Sequence, residues 1–524
     1  MPGLATKIGR LGQRLVGALR LPGPEAARRL GPEERAGQPG PFCLRRWEAA
    51  ETNRLNRAHW QDVTGQSINL DLLTRLETLR TRSEYEAANN GLVQGIINTH
   101  AQDIVGSDGP TLQVQSDDTK WNEAAEGVWR EWFYAPCPDP RISGAAWLKQ
   151  AIHACWTAGD ILAQLVTGTD QRGPVSLRVK PIHSRRLATP LDFLGDPGVF
   201  MGMRLSPEGA PRQYYVQNPS PLGVGQVSLG DYTPIPPDLM VHEFLREEED
   251  QLRGYPWLTG GLNPAADLRD YDDQVLDAAR QAADAGIVWH TNHPQATYIE
   301  VNETTSIERR QQWTGPPGWQ PTQIKPEQPS TNYVDYRRER QSEIGRPVCM
   351  PLMTIRLDSA RHNYSSARFD GQNYHRAVAG LQMWLSGSPH STGMLSRLFR
   401  LVVDEARFSV EPLRRRPPGV TLTWRWSVPP HVDPTKEAQA ERIGLENGTL
   451  PFAMACAARG YDEETVFQAE VRTNQLRESM GLPPLPPAMS YRSAPPASEE
   501  PGEKEDREEE QDREEEEEEA DATV

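Results

Sequence analysis

The chain has 524 residues, of which 37% are hydrophobic, 46 are proline and 42 are glycine. This length corresponds to about three or four domains of ~150 residues each. The composition excludes a fibrous protein and a wholly disordered chain. The longest unbroken apolar run, Phe452–Ala458, has seven residues, whereas a transmembrane helix needs about 18. The sequence therefore predicts a folded protein with many turns and no membrane span.

The net charge of −17 is concentrated at the end of the chain. The segment Glu499–Val524, called the acidic run, contains 16 acidic and 3 basic residues, so residues 1–498 carry a net charge of only −4. A nearly neutral body differs from a protein that grips nucleic acid through a globally basic surface. Since a run of like charges cannot pack on itself, we expect residues 483–524 to form a disordered acidic tail.

Residues 1–41 form a basic N-terminal arm and linker. Apolar residues repeat there at helical spacing, with Lys and Arg between them: Leu4, Ile8, Leu11, Leu15 and Leu19. Residues 21–42 are rich in proline and glycine. A targeting peptide or a membrane-surface helix has such a pattern. A short docking helix followed by a linker has it too, and we favour that interpretation.

The residues that carry common enzyme chemistry are scattered. The five cysteines contain no CxxC pair, which favours free thiols in a cytosolic chain. No GxxxxGK[ST] loop, strand-linked GxGxxG or HExxH motif occurs. His290 and His293 lack nearby carboxylates or thiolates for a zinc site, and no GxSxG turn surrounds Ser365 and Ser366. The sequence predicts no catalytic residue, no metal site and no cofactor.

The first part of the body has helical periodicity. The pattern predicts a helical stretch over Asn69–Ile104 with a break near Gly91, then a short strand over Leu112–Val114. Further helices are expected around Trp121–Trp132 and over Ala145–Ala158.

A small β-rich region follows. Strand-like runs divided by Gly, Pro and Asp are Ile161–Thr167, Val175–Lys180, Val199–Leu205, Gln213–Val216 and Leu239–Phe244. Arg253–Pro256 is expected to close this region.

Helices return after residue 261. A long helix is predicted over Leu262–Trp289 and a second over Tyr333–Gly345, with the aperiodic residues 291–330 between them. A segment with proline and methionine then leads to Asn363, after which helices run to about Val410.

The last part of the folded body is predicted to contain one strand, over Thr421–Trp426, and two capped helices. The first helix begins at Asp433–Pro434, where an N-cap precedes a proline at the first helical position. The second is capped by Asp462 and ends at Gly481.

Several segments together resemble the lambda-type portal proteins of tailed bacteriophages. In chain order they are FCLRRWEAAETNRLNRAHWQDVTGQSIN (42–69), LRTRSEYEAANNGLVQGIINTHAQDIVGSDGPTLQVQS (79–116), GDILAQLV (159–166), HEFLREEEDQLRGYPWL (242–258), DLRDYDDQVLDAARQAADAG (267–286), NYSSARFDGQNYHRA (363–377) and DPTKEAQA (433–440). The resemblance extends from about residue 42 to 482. The NNG…VGSDGP block, RGYPWL and NYSSAR in series are its most specific parts.

This resemblance implies an α+β, mostly helical subunit with wing, stem, clip and crown parts that assembles into a ring, expected to be a dodecamer. The ring would be the DNA channel at one capsid vertex of the virion, used for packaging and ejection. Implied partners are further copies of the chain, the terminase large subunit, head–tail connector proteins, major capsid and scaffold proteins, and double-stranded DNA. Before joining the virion, the chain would reside in the host cytoplasm, encoded by a phage or a prophage.

The same resemblance divides the chain into parts. These are residues 42–261 as wing, 262–290 as one stem helix, 291–330 as clip, 331–357 as a second stem helix, 358–366 as tunnel loop, 367–432 as the return to the wing, and 433–482 as crown helices. The sequence before Asn363, GRPVCMPLMTIRLDSARH, departs from the commonest form of the family.

The tunnel loop supplies the first set of candidate site residues: Arg361, His362, Asn363, Tyr364, Ser365, Ser366 and Arg368. Asn363 and the serines are suited to a switch from loop to helix. Tyr364 has a flat amphipathic ring, and Arg361 and Arg368 are the nearest cations. If the loop projects into a tunnel, these groups would meet the DNA backbone. The alternative is a helix N-terminus buried in the wing.

The first stem helix supplies a second set, Asp270, Asp273 and Asp277, as the lining of the channel. A channel through which DNA slides should avoid strong Lys or Arg contacts with phosphates, and an acidic helix meets that need. A solvated outer face is the alternative, and the sequence favours neither.

Two other classes of function remain open. One is a nucleic-acid-processing enzyme of a mobile element, with the basic N-terminus as its DNA contact; it would need a metal-binding carboxylate set, which the sequence does not distinguish. The other is a cytosolic scaffold whose acidic tail traps a basic partner.

Truncation after Ser498 should leave folding and ring assembly intact, because the acidic run contributes no packed surface. Size-exclusion chromatography and a thermal melt of the full-length and shortened chains check this. A shortened chain that fails to assemble, or that melts markedly lower, would contradict the prediction.

Overall fold

A computed structural model of the chain describes residues 65–168, 172–219, 227–283, 287–290, 320–323, 333–360, 362–388, 392–427, 434–458 and 463–483. The N-terminal arm, most of the expected clip and the acidic run lie outside these residues. The described residues from Ser67 onward belong to one compact unit, to which the following description applies.

The described chain is mostly helical, as predicted. Its helices are α1 Ile68–Asn89, α2 Gly91–Val105, α3 Thr119–Tyr134, α4 Gly144–Thr157, α5 Leu262–Ala283, α6 Tyr333–Gly345, α7 Leu352–Arg356, α8 Tyr364–Ser386, α9 Met394–Ala406, α10 Pro434–Glu446, α11 Phe452–Ala458 and α12 Glu463–Ser479. The break predicted near Gly91 is confirmed at Asn90, whose side-chain oxygen accepts hydrogen bonds from the backbone N–H groups of Leu92 and Val93 at 3.1 and 3.4 Å. Asn90 thereby caps α2.

The described strands are β1 Thr111–Gln115, β2 Ile161–Thr167, β3 Leu177–Pro181, β4 Val199–Phe200, β5 Met203–Leu205, β6 Pro211–Pro219, β7 Val227–Ile235, β8 Met240–Glu243, β9 Ile287–His290, β10 Gln320–Gln323 and β11 Thr421–Arg425. They form a three-stranded sheet in the order β3–β2–β8, a four-stranded sheet in the order β4–β5–β6–β7, and the pairs β1–β11 and β9–β10. All of these pairings are antiparallel.

The main hydrophobic core lies among the helices of the body. Trp121, Trp147 and Trp156 are each about 1% exposed and fill its centre. The pair β1–β11 covers one side, because Trp424 of β11 meets Trp129 of α3 with ring centroids 5.2 Å apart. The β-rich region predicted after Gly159 has a smaller core of its own.

The sequence pattern does not predict strand β7. Its sequence contains Gly230 and Pro234, residues that interrupt most strands. In the four-stranded sheet β7 is an edge strand, and Pro234 lies opposite Tyr215 of β6. An edge position tolerates proline because one side of the strand makes no ladder hydrogen bonds.

The helix predicted over residues 262–290 is shorter than expected. Helix α5 ends at Ala283, and Ile287–His290 form strand β9, which pairs with Gln320–Gln323. The residue before β9 is Gly286, and Ile, Val and Trp follow it. These residue types favour an extended strand over a continued helix.

The single helix predicted over residues 331–357 is divided. Helix α6 has the predicted bounds Tyr333–Gly345, but Pro347 and Pro351 follow and prevent its continuation. Cys349 and Leu357 adopt left-handed backbone conformations, with φ of 57° and 51°. The short helix α7 lies between these two turns.

One buried carboxylate joins four segments of the body. Asp160, fully buried at the start of β2, accepts hydrogen bonds from Arg80 of α1 at 2.8 Å and from the Arg253 Nε at 2.8 Å. The backbone N–H of Gly254 donates to the other carboxylate oxygen at 2.6 Å. Arg253 also donates to the carbonyl of Ser184 at 3.1 Å. We call Asp160, Arg80 and Arg253 the buried ion cluster.

The two motifs that supply this cluster approach one another at their glycines. Gly159 has φ of +88°, and a Cβ atom there would lie 2.5 Å from backbone atoms of Tyr255. A Cβ atom on Gly254 would collide with the Gly159 carbonyl. Only glycine allows this approach. GDILAQLV and RGYPWL are therefore adjacent in space.

Electrostatics decide the ionisation of Asp160. Burial alone would raise the pKa of its carboxyl, but Arg253, His242 and Arg80 outweigh burial and hold it well below its usual value. His242 stays neutral near it, with its Nε2 3.5 Å from the Asp160 carboxylate, because burial lowers the pKa of the imidazole. The carboxylate is ionised and compensated by two buried cations.

Asp160→Asn should lower the free energy of unfolding by about 3–5 kcal/mol, since removing one partner leaves buried cations uncompensated. Chemical denaturation at neutral pH measures the loss. Asp192→Asn, at an exposed position of the same β-rich region, is the matched control and should change stability by under about 0.5 kcal/mol. Equal stability of the two variants would contradict the prediction.

Candidate functional site

The segment before α8 is a solvent-exposed turn. Leu357 is 80% exposed, and Asp358–Ala360 are exposed after it. The Arg356 guanidinium lies 3.5 Å from the Asp358 carboxylate, and the Asp358 side chain accepts a hydrogen bond from the Ala360 N–H at 3.1 Å. The turn is thus ordered by its own polar groups while its surface faces solvent.

The predicted switch from loop to helix is confirmed at Asn363. Its side-chain oxygen accepts a hydrogen bond from the Ser366 N–H at 2.8 Å, and the Ser366 hydroxyl donates to the Asn363 carbonyl at 3.2 Å. Helix α8 begins at Tyr364, so residues 364–366, expected in the tunnel loop, are helical. Asparagine provides the cap at this position, and the serines lie within the first turn.

The structure distributes the other predicted loop residues as follows. His362 is half-buried, and Ser365, Ser366 and Arg368 are exposed. Arg361 lies outside the described residues, and Tyr364 is described only in its backbone. Phe369, which was not singled out from the sequence, is 64% exposed beside this group. The N-terminal turns of α8 therefore present polar, cationic and aromatic side chains to solvent.

Farther along, α8 is fixed to the body. Tyr374, Val378 and Leu385 are 2%, 5% and 1% exposed, and the Tyr374 hydroxyl donates to the Asp103 carboxylate of α2 at 2.8 Å. Burial raises the pKa of both Asp103 and Tyr374, which favours their protonated forms. No local sequence signal indicated this contact, because the two residues are 271 positions apart.

A neutral histidine lies beside this attachment. His100 is fully buried, and its Nδ1 accepts a hydrogen bond from the Trp156 Nε1 at 3.0 Å. The Tyr374 ring lies 6.2 Å from the imidazole centroid. Burial lowers the pKa of His100 to about 4, so the imidazole is uncharged at neutral pH.

Helices α5 and α6 form an antiparallel pair. Gly261, just before α5, lies against Ile344 near the end of α6, whereas Tyr271 and Asp272 meet the start of α6. The Tyr333 hydroxyl donates to the Asp272 carboxylate at 2.9 Å, and Arg337 lies 3.2 Å from the same group. Helices α5 and α6 therefore lie side by side and run in opposite directions.

The predicted channel-lining acids share one side of α5. Asp270, Asp273 and Asp277 are all exposed, as is Asp267. Asp277 pairs at 3.1 Å with Arg280, which is also exposed. Their spacing of three and four residues places these carboxylates on one helix face. This face points away from the partner helix α6, which Asp272 contacts.

The described residues hold neither a cluster of three or more potential metal ligands nor a helix long and apolar enough to cross a membrane. The predicted absence of a metal site and of a cofactor remains a prediction.

The family model for phage portal proteins of the lambda family matches residues 53–382 of this chain. The probable portal protein of Halomonas phage phiHAP-1 is 21% identical, over 84% of this chain and 89% of its own length. Portal protein B of Escherichia phage lambda is 20% identical, over 82% of this chain and 89% of its own length. A chain from the neck of an empty gene transfer agent particle aligns with a TM-score of 0.43 and 14% identity, covering 79% of this chain and 94% of the other.

The family match spans more than half of the chain and includes α1–α7, the exposed turn and most of α8. The chain therefore belongs to the lambda family of phage portal proteins. Its function is that of a portal protein, a structural component of phage assembly.

His100→Gln should remove part of the pH dependence of stability. Because burial depresses the folded-state pKa to about 4 from about 6.5 in the unfolded chain, the unfolded state binds the proton more readily, and stability falls as pH drops through 6.5 towards 4. Between pH 7 and 5 this amounts to about 2 kcal/mol. Denaturation of both proteins at the two pH values gives the difference. A parallel pH response in the variant would contradict the prediction.

Proposed function

We propose that the chain assembles into a ring, expected to have twelve subunits, that forms the DNA channel at one capsid vertex of the virion. Membership of the portal family supports this assembly. The observation that carries the channel proposal is the exposed turn before α8, since its base is fixed through Tyr374 and Asp103 while its outer surface is free. Such a turn can project towards a central opening without loosening the subunit.

Within this ring, Asn363 would set the angle at which the turn enters α8. The DNA backbone would be met transiently by Ser365, Ser366 and Arg368 and by the neighbouring Arg361, His362 and Tyr364. The antiparallel pair of α5 and α6 would form the stem. Asp270, Asp273 and Asp277 would line the channel, where their negative charge would weaken adhesion of the phosphate backbone.

The remaining parts follow the order of the chain. We assign the clip to residues 291–330, extended by the pairing of β9 and β10, and the crown to α10–α12. The regions before α5 and after α8 would form the wing. The terminase large subunit, head–tail connectors, major capsid and scaffold proteins would contact the ring from outside, first in the host cytoplasm and then in the particle.

The ring itself would perform no catalysis. Genome movement would be driven by the terminase during packaging, and the channel would guide the DNA in both directions. A nucleic-acid-processing enzyme of a mobile element, the alternative from the sequence, gains no support from the described side chains.

Deletion of Ser359–His362 should leave rings and proheads intact but impair DNA packaging or retention, because it removes the projecting turn without touching the buried face of α8. Electron microscopy counts rings and proheads, and nuclease protection measures packaged DNA. Replacing the same four residues by Gly-Ser-Gly-Ser keeps the length of the turn. This control distinguishes an effect of the lost side chains from an effect of shortening the turn.

Loss of soluble rings on deletion would show that the segment is structural and that the tunnel-loop assignment is wrong. Normal packaging and retention by both variants would show that the turn does not act on DNA.

A further inference from the structure

An excess of positive charge follows α9 on the surface of the body. Arg407, Arg414, Arg415 and Arg416, called the arginine cluster, are all exposed. The only acid in residues 407–416 is Glu411, which lies 3.7 Å from Arg414 with both side chains more than two-thirds exposed. Within the described chain, Arg407, Arg415 and Arg416 have no carboxylate partner. Among the described residues, the pair of Arg414 with Glu411 is thus the one ion pair that the cluster forms.

The backbone that carries this cluster is held firmly. Leu413 is 2% exposed, and the Ser409 hydroxyl donates to the Pro174 carbonyl at 3.3 Å. The Glu405 carboxylate accepts hydrogen bonds from the N–H groups of Ser176 and Leu177 at 2.8 and 3.0 Å. Glu405 is engaged by these backbone donors and forms no ion pair with the arginines of the cluster in the described chain. The cluster is presented from a fixed support.

Neighbouring side chains leave the cluster open to an anion. Phe408 is 77% exposed, and the Arg407 guanidinium lies 4.8 Å from the centre of its ring, which orients the cation without removing its charge. Helix α3 packs against residues 411–414, but its exposed acids, Glu123 and Glu131, form no ion pair with the cluster. A multivalent anion from elsewhere would find three consecutive exposed arginines here, Arg414, Arg415 and Arg416.

We propose that the acidic run Glu499–Val524 docks on the arginine cluster. The run has a net charge of −13, and the body that precedes it has only −4, so it is the strongest anion that the chain contains. Planar guanidinium groups bind carboxylates through paired hydrogen bonds. The acidic run and the arginine cluster therefore have complementary charge.

The covalent linker that joins the acidic run to the described chain favours docking of the run over binding of a separate anionic molecule. Residues 484–498 separate the described crown helix from the run and include five prolines. A proline-rich linker extends by about 3.1 Å per residue, which gives a reach of roughly 45 Å here. If the cluster lies within this reach, tethering supplies an effective concentration in the millimolar range. The docked run would shield the cluster from other polyanions, including DNA.

Zero-length cross-linking of the full-length protein tests the contact. In R414K/R415K/R416K the charge is kept, and a carbodiimide then joins the new amines to any adjacent carboxylate. Mass spectrometry should find links to residues 499–521 at about fivefold or greater abundance over R75K/R82K/R376K. This control alters three exposed arginines of α1 and α8 that form no ion pair with another described residue. The links should disappear when salt is raised from about 50 to 500 mM, because screening weakens exposed ion pairs.

Three results would overturn the proposal: equal cross-linking of the two variants, cross-links that persist at high salt, or absence of links to the run.

A binding titration of the full-length protein with duplex DNA tests whether the cluster is instead a nucleic-acid site. If R414Q/R415Q/R416Q lowers DNA affinity by more than about fivefold and the run is not cross-linked, the cluster binds DNA instead. If the same variant binds DNA no more weakly, and cross-linking is present, docking of the run is supported.

Discussion

The body depends on compensating one negative charge that has no access to water. An isolated buried carboxylate is far too costly to keep ionised, so Asp160 requires both Arg80 and Arg253. Arg80 arrives from α1 and Arg253 from the closing turn of the β-rich region, and Arg253 in turn engages the carbonyl of Ser184. Because hydrogen bonds are directional, this charge balance fixes the relative positions of the helical and β-rich regions.

The elements proposed to form the channel are attached to the same part of the body. The Arg269 guanidinium of α5 lies 2.6 Å from the Glu86 carboxylate of α1, and Tyr374 attaches α8 to α2 through Asp103. Helix α1 thus connects the buried ion cluster to the helix pair, and α2 follows α1 directly. Both candidate parts of the channel are therefore attached to the consecutive helices α1 and α2.

Local sequence patterns predict the helices and strands of this chain better than they predict the contacts between them. The bounds of β2 and α6 and the loop-to-helix switch at Asn363 follow from alternation, helical periodicity and capping chemistry. The end of α5 and the edge strand β7 did not, because strand pairing and edge position decide them. The candidate turn was found through the family resemblance, whereas its anchor, Tyr374 on Asp103, joins residues too distant in sequence for any local pattern to indicate.

The pairing of β1 with β11 affects when the subunit can finish folding. Thr111–Gln115 find their partners in Thr421–Arg425, and Trp424 completes the packing around Trp129. At about 5–20 residues per second of synthesis, β1 waits roughly 15–60 s for its partner strand. Until then one side of the tryptophan-rich core stays uncovered, so a nascent chain depends on protection from aggregation through most of its translation.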